Sequence, residues 1–134
     1  MKTAKPFFDT NVLLYLLSED QYKADIAETI IAKGGIISIQ VLNEFSSVAF
    51  RKLKMSYAEI RETLETIRAV CKTQSMTIAT HELGLNIAEH YGFSLYDGMI
   101  VSAALQSGCD ILYSEDLQHG QKINAKLLIT NPFQ

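Results

Sequence analysis

Four acidic residues in this chain stand at positions where carboxylates could meet and hold a cation. They are Asp9, Glu44, Asp97 and Asp116. Two of them follow predicted strands, and the other two begin or line predicted helices next to those strands. Carboxylates brought together repel one another unless a cation intervenes. Oxygen ligands of this kind suit Mg²⁺ or Mn²⁺, and the histidine–cysteine spacing typical of zinc sites is missing from the sequence.

Each of these acids also has an ordinary structural explanation. Asp9 could occupy a turn or cap the next helix, and Asp97 could cap the helix that it begins. Asp116 could belong to a polar turn. Glu44 lies beside an apolar helical stripe, where a glutamate costs free energy unless it is paired, binds a cation or points to solvent. The case for a site therefore depends on the pattern across all four positions.

Short apolar strands alternate with helical segments along the chain. Strands are predicted over Lys5–Asp9, Ile36–Ile39, Met76–Ala79, Asp110–Tyr113 and Lys126–Thr130. Helices are predicted over Asn11–Ser18, Tyr22–Lys33, a segment capped by Ser38, a capping-box segment from Ser56 to about Cys71, a segment from a Thr80 cap to Tyr91, and Asp97–Gln106. This alternation predicts an α/β domain with a mostly parallel sheet, in which ligands collect at the carboxyl ends of the strands.

The composition is that of an ordinary globular protein. The 134 residues include 48% hydrophobic and 20% charged residues, and their length predicts one domain over residues 1–134. No apolar run approaches the roughly 20 residues of a membrane span. Cys71 and Cys109 lie far apart without a metal-binding or redox spacing, which favours two reduced, buried thiols in a cytoplasmic protein.

Four stretches of the sequence resemble the acidic motifs of PIN-domain nucleases. In chain order they are FFDTNVLLYLL, VLNEF, YDGMIVSAAL and LYSEDL. The closing LLITNPF is similar to the last strand of the compact bacterial members, which are mostly VapC-type toxins of toxin–antitoxin pairs. The resemblance covers nearly the whole chain. It implies a PIN-like three-layer α/β/α sandwich with a central, mostly parallel sheet.

The resemblance assigns roles to particular residues. The catalytic quartet maps onto Asp9, Glu44, Asp97 and Asp116. Of these, Asp9, Asp97 and Asp116 would bind the metal, while Glu44 would either ligate it or orient the attacking water. Asn11 and Ser114 would hold the metal ligands in position or position the substrate. One departure is glycine at position 98, where family members commonly carry alanine, and a glycine weakens the first helical turn slightly.

The implied activity is that of an endoribonuclease that depends on Mg²⁺ or Mn²⁺ and cleaves RNA with a metal-activated water. The implied partners are an RNA substrate, an antitoxin and a second copy of the chain, with no membrane association. The dimer contact is expected around Tyr57–Leu64 and the C-terminal region. The alternative is a catalytically weak or inactive PIN fold that binds nucleic acid.

The net charge of −3 does not exclude RNA as a substrate. Excluding the four proposed site carboxylates leaves eleven acidic residues against twelve basic ones, so the remaining surface is nearly neutral. Arg51, Lys52 and Lys54 cluster at the end of the helix that carries Glu44. They are candidates for phosphate contacts, although basic residues are also favourable at a helix C-terminus.

Overall fold

A six-stranded sheet forms the centre of residues 5–134, the part of the chain that the computed structural model describes. The strands are β1 (Pro6–Phe8), β2 (Gly35–Ser38), β3 (Cys71–Gln74), β4 (Ile111–Tyr113), β5 (Lys122–Ile123) and β6 (Leu127–Thr130). They are ordered β3-β2-β1-β4-β6-β5, and every neighbouring pair is parallel except β5 and β6. The predicted, mostly parallel sheet is therefore confirmed.

Six α-helices accompany this sheet within residues 5–134. They are α1 (Thr10–Leu14), α2 (Gln21–Ala32), α3 (Ile39–Arg51), α4 (Tyr57–Val70), α5 (Ile78–Tyr91) and α6 (Leu95–Gln106). The helices flank a mostly parallel sheet, which confirms the PIN-like α/β/α class. None of the helices in this part of the chain is both long and apolar enough to cross a lipid bilayer.

Strand β1 lies at the centre of the sheet and is apolar because both of its faces are covered. Phe7 pairs with Ile36 of β2 on one side and with Leu112 of β4 on the other. Phe7 and Phe8 are both fully buried, and each buried phenylalanine contributes roughly 2–3 kcal/mol of hydrophobic stabilisation. A polar residue is tolerated only where this strand emerges, which is where Asp9 stands.

The third strand differs from the prediction over Met76–Ala79. The structure instead places β3 at Cys71–Gln74, directly after α4, because Cys71 already has extended backbone angles. Helix α5 begins at Ile78 and is capped by Thr77, so the prediction that Thr80 is the cap was wrong. Thr80 is the third helical residue, and it completes a reciprocal capping box with Thr77.

Two further differences from the prediction concern a helix that is shorter than expected and a strand that was not expected. The helix expected over Asn11–Ser18 is a short α1 followed by a 3-10 turn at Tyr15–Leu17. Strand β5 was not predicted at all, because its two residues are too few to show an alternating pattern. It pairs antiparallel with β6 and covers that edge of the sheet.

Helices α5 and α6 approach each other closely at two glycines. A Cβ atom at position 98 would lie 2.6 Å from the carbonyl oxygen of Gly84 and 2.9 Å from the Cβ of Ala88. A Cβ atom at position 84 would lie 2.6 Å from the Sδ of Met99. The glycine at position 98 therefore allows the start of α6 to pack against the backbone of α5.

The two cysteines are free and buried. Burial raises the pKa of the Cys71 thiol to about 11, and burial also raises that of Cys109 to about 11. Both side chains are consequently protonated thiols at neutral pH, and neither has the thiolate character of a reactive cysteine. Their burial agrees with the prediction from the sequence.

Candidate active site

Asp9 is a buried carboxylate at the carboxyl end of β1. Its side chain is 5% exposed, and its backbone N–H still bonds to the carbonyl of Tyr113 in β4 at 3.0 Å. One carboxylate oxygen accepts a 2.7 Å bond from the backbone N–H of Thr10, so Asp9 does cap α1. The other accepts a 2.8 Å bond from the hydroxyl of Ser114, which is itself fully buried.

The environment of Asp9 disfavours its charge. Burial raises the pKa of this carboxyl from 3.8 to about 6, and the nearby carboxylates of Asp97 and Glu44 raise it further, although hydrogen bonds from Ser114 and Thr10 oppose the shift. The electrostatic influence of Asp97 and Glu44 places all three acids in one neighbourhood. Within residues 5–134, no cationic side chain is paired with Asp9 to compensate its charge when it is ionised.

Asn11 connects the segments that follow β1 and β4. Its amide nitrogen donates to a carboxylate oxygen of Asp116 at 3.0 Å and, at a longer 3.4 Å, to Asp9. Its amide oxygen accepts from the backbone N–H of Glu115 at 3.2 Å. Asn11 therefore brings the fourth acid, which is exposed, to the same edge of the sheet as Asp9.

Glu44 lies half-buried on α3 and is held by two polar side chains. The hydroxyl of Thr10 donates to it at 3.2 Å, and the amide of Gln40 donates at 2.8 Å. The same Gln40 amide also donates to the carbonyl of Tyr96 at 3.0 Å, which joins α3 to the start of α6. These hydrogen bonds satisfy Glu44, so its burial does not by itself demand a cation.

Asp97 does not cap α6, contrary to the sequence-based alternative. Ser94 is the cap, and its hydroxyl accepts from the backbone N–H of Asp97 at 3.2 Å. Among the described residues, none donates a hydrogen bond to the Asp97 carboxylate. This acid therefore has no capping role that would explain it, although a carboxylate in a first helical turn is electrostatically favourable.

Three residues around the acids were not predicted from the sequence. Thr10 and Gln40 position Glu44, and neither has a signal of its own beyond lying next to a motif. Glu115 forms an ion pair with Lys23 and accepts from the hydroxyl of Tyr15. Partial burial raises the pKa of Glu115, but these two partners outweigh it and hold that pKa below its usual range. The pair fixes the segment that carries Ser114 and Asp116.

The donor chemistry of this edge fits a hard divalent cation. All four acids offer oxygen ligands, which Mg²⁺ and Mn²⁺ prefer, and Mg²⁺ typically binds one or two carboxylates while keeping several waters. Within residues 5–134, no three His, Cys, Asp or Glu side chains already converge closely enough to hold one ion. The arrangement therefore fits an ion that contacts few carboxylates directly better than one enclosed by all four.

A family model describes most of the chain. The PIN domain model matches residues 7–123, a range that includes all four acids. The chain belongs to the PIN domain family. This match confirms the resemblance that the four motifs indicated.

Solved structures share the fold of this PIN domain at low sequence identity. A protein of a Klebsiella pneumoniae toxin–antitoxin complex has a TM-score of 0.72 and 18% identity, covering 97% of this chain and 98% of that one. VapC20 of Mycobacterium tuberculosis, a sarcin–ricin loop cleaving toxin, has a TM-score of 0.67 and 18% identity over 84% and 90%. VapBC2 of Rickettsia felis, bound to a DNA fragment from its promoter, has a TM-score of 0.64 and 17% identity, covering 94% of this chain and 97% of that one. No curated protein matches the sequence.

The raised pKa of Asp9 predicts how the stability of this PIN domain changes with pH. Because the pKa is about 6 in the folded protein and 3.8 as the reference for the unfolded chain, the folded state binds this proton more tightly. The stabilisation of the folded state by this tighter proton binding is complete below pH 3.8 and is lost as the pH rises through about 6. The difference between the two pKa values corresponds to at most about 3 kcal/mol in the free energy of unfolding.

The Asp9→Asn variant isolates this contribution. Asparagine preserves the shape, and its amide can donate to the hydroxyl of Ser114. We expect the variant to unfold at higher denaturant concentration than the wild type at about pH 7.5, with the gain shrinking toward zero near pH 4. Chemical denaturation at both pH values measures the difference. An equal gain at both would show that the charge of Asp9 is not responsible.

Proposed function

We propose that this PIN domain is a metal-dependent endoribonuclease that uses Mg²⁺ or Mn²⁺, and that it is the toxin of a type II toxin–antitoxin system. The observation that carries the proposal is the state of Asp9. Its carboxylate is buried beside two other acids, at the carboxyl edge of a parallel sheet, and lacks a cationic partner among the described residues. A divalent cation would relieve this repulsion.

The contacts of the acids support a separate role for each residue of the site. Asp9, Asp97 and Asp116 would hold the ion, each directly or through one of its waters, and the ion when bound supplies an activated water near neutral pH. Ser114 and the N–H of Thr10 fix the rotamer of Asp9, while Asn11 orients Asp116.

Glu44 has a separate place in the proposal. Thr10 and Gln40 each donate to one of its carboxylate oxygens, which restrains the side chain without neutralising it. In this position a carboxylate oxygen of Glu44 can either ligate the ion or orient the attacking water by accepting a hydrogen bond from it.

We also propose the partners and the cellular location that are implied if the protein is a toxin. RNA is the substrate, an antitoxin is the inhibitor, and residues 1–134 act as one domain in the cytoplasm. A cleft of about 330 Å³ beside Asn11 and Asp116 supports an antitoxin contact, because Leu14, Leu17 and Val48 give it an apolar wall. Co-purification of this chain with the product of a neighbouring reading frame tests the antitoxin.

A homodimer is the remaining partner in the proposal. The exposed rings of Phe50, near the end of α3, and Tyr57, at the start of α4, stack with their centroids 4.8 Å apart, and Leu53 in the segment between these helices is also exposed. Such a patch at the start of α4 supports a contact in the Tyr57–Leu64 region. Light scattering of the purified chain measures the mass, and a monomeric mass at all concentrations would contradict the dimer.

The alternative function is a PIN fold that binds nucleic acid with weak or no catalysis. It is favoured by the hydrogen bonds that already satisfy both oxygens of Asp9, and by the lack of a preformed three-acid cluster in the described residues. It differs from the main proposal in one respect. Binding would persist without a divalent cation, and cleavage would be absent with one.

Metal removal separates the two functions. We expect purified protein to cleave RNA with added Mg²⁺ or Mn²⁺, and to lose this activity with excess chelator, because the bound ion lowers the pKa of the water that attacks the phosphodiester. Re-addition of Mn²⁺ should restore cleavage. The measurement is gel analysis of a labelled RNA pool over time. Cleavage that continues unchanged in chelator, and that is lost from an Asp97→Asn protein purified in the same way, would exclude the proposed metal-dependent mechanism.

A further inference from the structure

A second cleft, of about 490 Å³, borders Glu44, whereas the cleft described above borders Asn11 and Asp116. It is lined by Gln40, Asn43, Glu44, Ser47, Met76 and Tyr96. It shares Glu44 with the candidate active site, and Tyr96 directly precedes Asp97. Anything bound in this cleft is therefore adjacent to two of the four acids. Its volume lies in the range of pockets that bind small ligands or single groups of larger ones.

One wall of this cleft is held in place by hydrogen bonds. The Gln40 amide donates both to Glu44 at 2.8 Å and to the backbone carbonyl of Tyr96 at 3.0 Å. Since the contact to Tyr96 uses its backbone, the aromatic side chain has no part in it. The separation of α3 from the start of α6 is thus maintained whichever side chain stands at position 96.

Two side chains in the cleft have no structural task. The ring of Tyr96 is 66% exposed, and its hydroxyl makes no hydrogen bond to any residue of the described chain. The amide of Asn43 is exposed and likewise lacks a hydrogen-bond partner among residues 5–134. An exposed aromatic face and an unengaged amide are the two groups that proteins use to hold an unpaired base, by stacking and by hydrogen bonds to its edge.

The same face of α3 continues from the cleft to a basic side chain. Asn43, Ser47 and Arg51 follow at four-residue intervals and therefore lie on one side of the helix. The Nε of Arg51 donates to the hydroxyl of Ser47 at 3.0 Å, and its terminal nitrogens make no hydrogen bond to the part of the chain that the structure describes, so they can donate to a further acceptor. An RNA strand with one base in the cleft can place a neighbouring phosphate at Arg51.

We propose that this cleft binds one unpaired nucleobase of the RNA, next to the phosphate that is cleaved, with the base stacked on Tyr96 and its edge bonded to Asn43. The inference rests on the proposed function and adds to it a subsite for one base, with Tyr96 and Asn43 as the residues that contact it. A base held in this way has left its own stack, so the site selects single-stranded or looped RNA over a duplex. Asn43 then determines which base is preferred at that position.

Binding measured without cleavage tests this inference. Fluorescence anisotropy of labelled single-stranded RNA oligonucleotides, titrated with the full chain in chelator, gives the dissociation constants. We expect Tyr96→Leu to weaken binding roughly 5- to 100-fold, and Tyr96→Phe to bind like the wild type, because stacking needs the ring and not the hydroxyl. Asn43→Ala should reduce the difference in affinity between oligonucleotides that differ in one base.

Two controls make the outcome specific. Tyr22→Leu removes a tyrosine of similar exposure, 61%, that does not line the cleft, and it should leave the affinity unchanged. The same RNA annealed to its complement should bind more weakly, with no further loss in Tyr96→Leu.

The possible results separate the inference from the proposed function. Equal affinities of wild type and Tyr96→Leu, or a wild type that binds no single strand, would overturn the inference. Cleavage of the same oligonucleotides by wild-type protein with Mg²⁺, assayed in parallel, decides the proposed function independently. Cleavage combined with an unchanged Tyr96→Leu affinity would leave an RNA nuclease that holds its substrate elsewhere.

Discussion

Asp9→Asn is expected to lower metal-dependent RNA cleavage by on the order of 10²- to 10³-fold, the effect typical of removing one preorganised electrostatic group from a catalytic site. The variant keeps the hydrogen bond from the Thr10 N–H, so the turn after β1 stays intact. It loses the negative charge that a divalent cation would bind. Initial rates at saturating Mg²⁺ measure the loss, and the metal concentration for half-maximal rate should rise in any residual activity.

A second aspartate provides the matched control for this variant. Asp25 is exposed on α2, where it accepts a bond from Gln21, and Asp25→Asn should retain the wild-type rate. The loss of rate should coincide with the gain in stability at neutral pH described above, because both follow from removing one buried charge. An Asp9→Asn protein that folds and cleaves at the wild-type rate would remove Asp9 from the mechanism.

Gly98→Ala is expected to destabilise the protein by roughly 1–3 kcal/mol, the usual cost of overpacking a well-packed contact. Helix propensity alone predicts the opposite sign, since alanine is favoured over glycine by about 1 kcal/mol inside a helix. Packing decides the outcome, because the new Cβ would meet the backbone oxygen of Gly84 at 2.6 Å, and a backbone atom cannot rotate away. Denaturant unfolding measures the change.

The position of this close approach also links it to the candidate site. Asp97 is the neighbouring residue, so moving the first turn of α6 away from α5 would displace its carboxylate. We therefore expect Gly98→Ala to reduce cleavage as well as stability. Asn86→Ala, at an exposed position of α5, controls for substitution in these helices and should change neither. An equal or greater stability of Gly98→Ala would show that α5 and α6 separate without cost.

The parts of the fold that the sequence predicted well are those with strong local signals. Gly92 follows α5 in the left-handed region, with φ of 75°, and Ser38 caps α3 through the N–H of Val41, both as expected. The positions of Asp9 and Asp116 after strands were likewise predictable, because apolar β-branched and aromatic runs end there. Parallel strands then bring such residues to one edge.

The features that were missed depend on contacts between distant segments. The sequence CKTQ of β3 is polar and lacks the apolar pattern that predicts a strand. It forms a strand because it pairs with all four residues of β2. The role of the glycine at position 98 could not be predicted, because it depends on the distance between two helices. The hydrogen bond from Thr10 to Glu44 joins two distant segments, and no local sequence pattern predicts it or the bond from Gln40.

The hydrogen bond between Asp9 and Ser114 spans 105 positions of the chain, and it has a consequence for biosynthesis. The aspartate leaves the ribosome early, whereas the serine, Asp116 and the central partner strand β4 emerge only when most of the polypeptide has been made. Pairing across such a separation is slow to form, because a long loop must first close. A nascent chain therefore lacks the assembled carboxylates throughout most of translation, and the candidate site forms only late in synthesis.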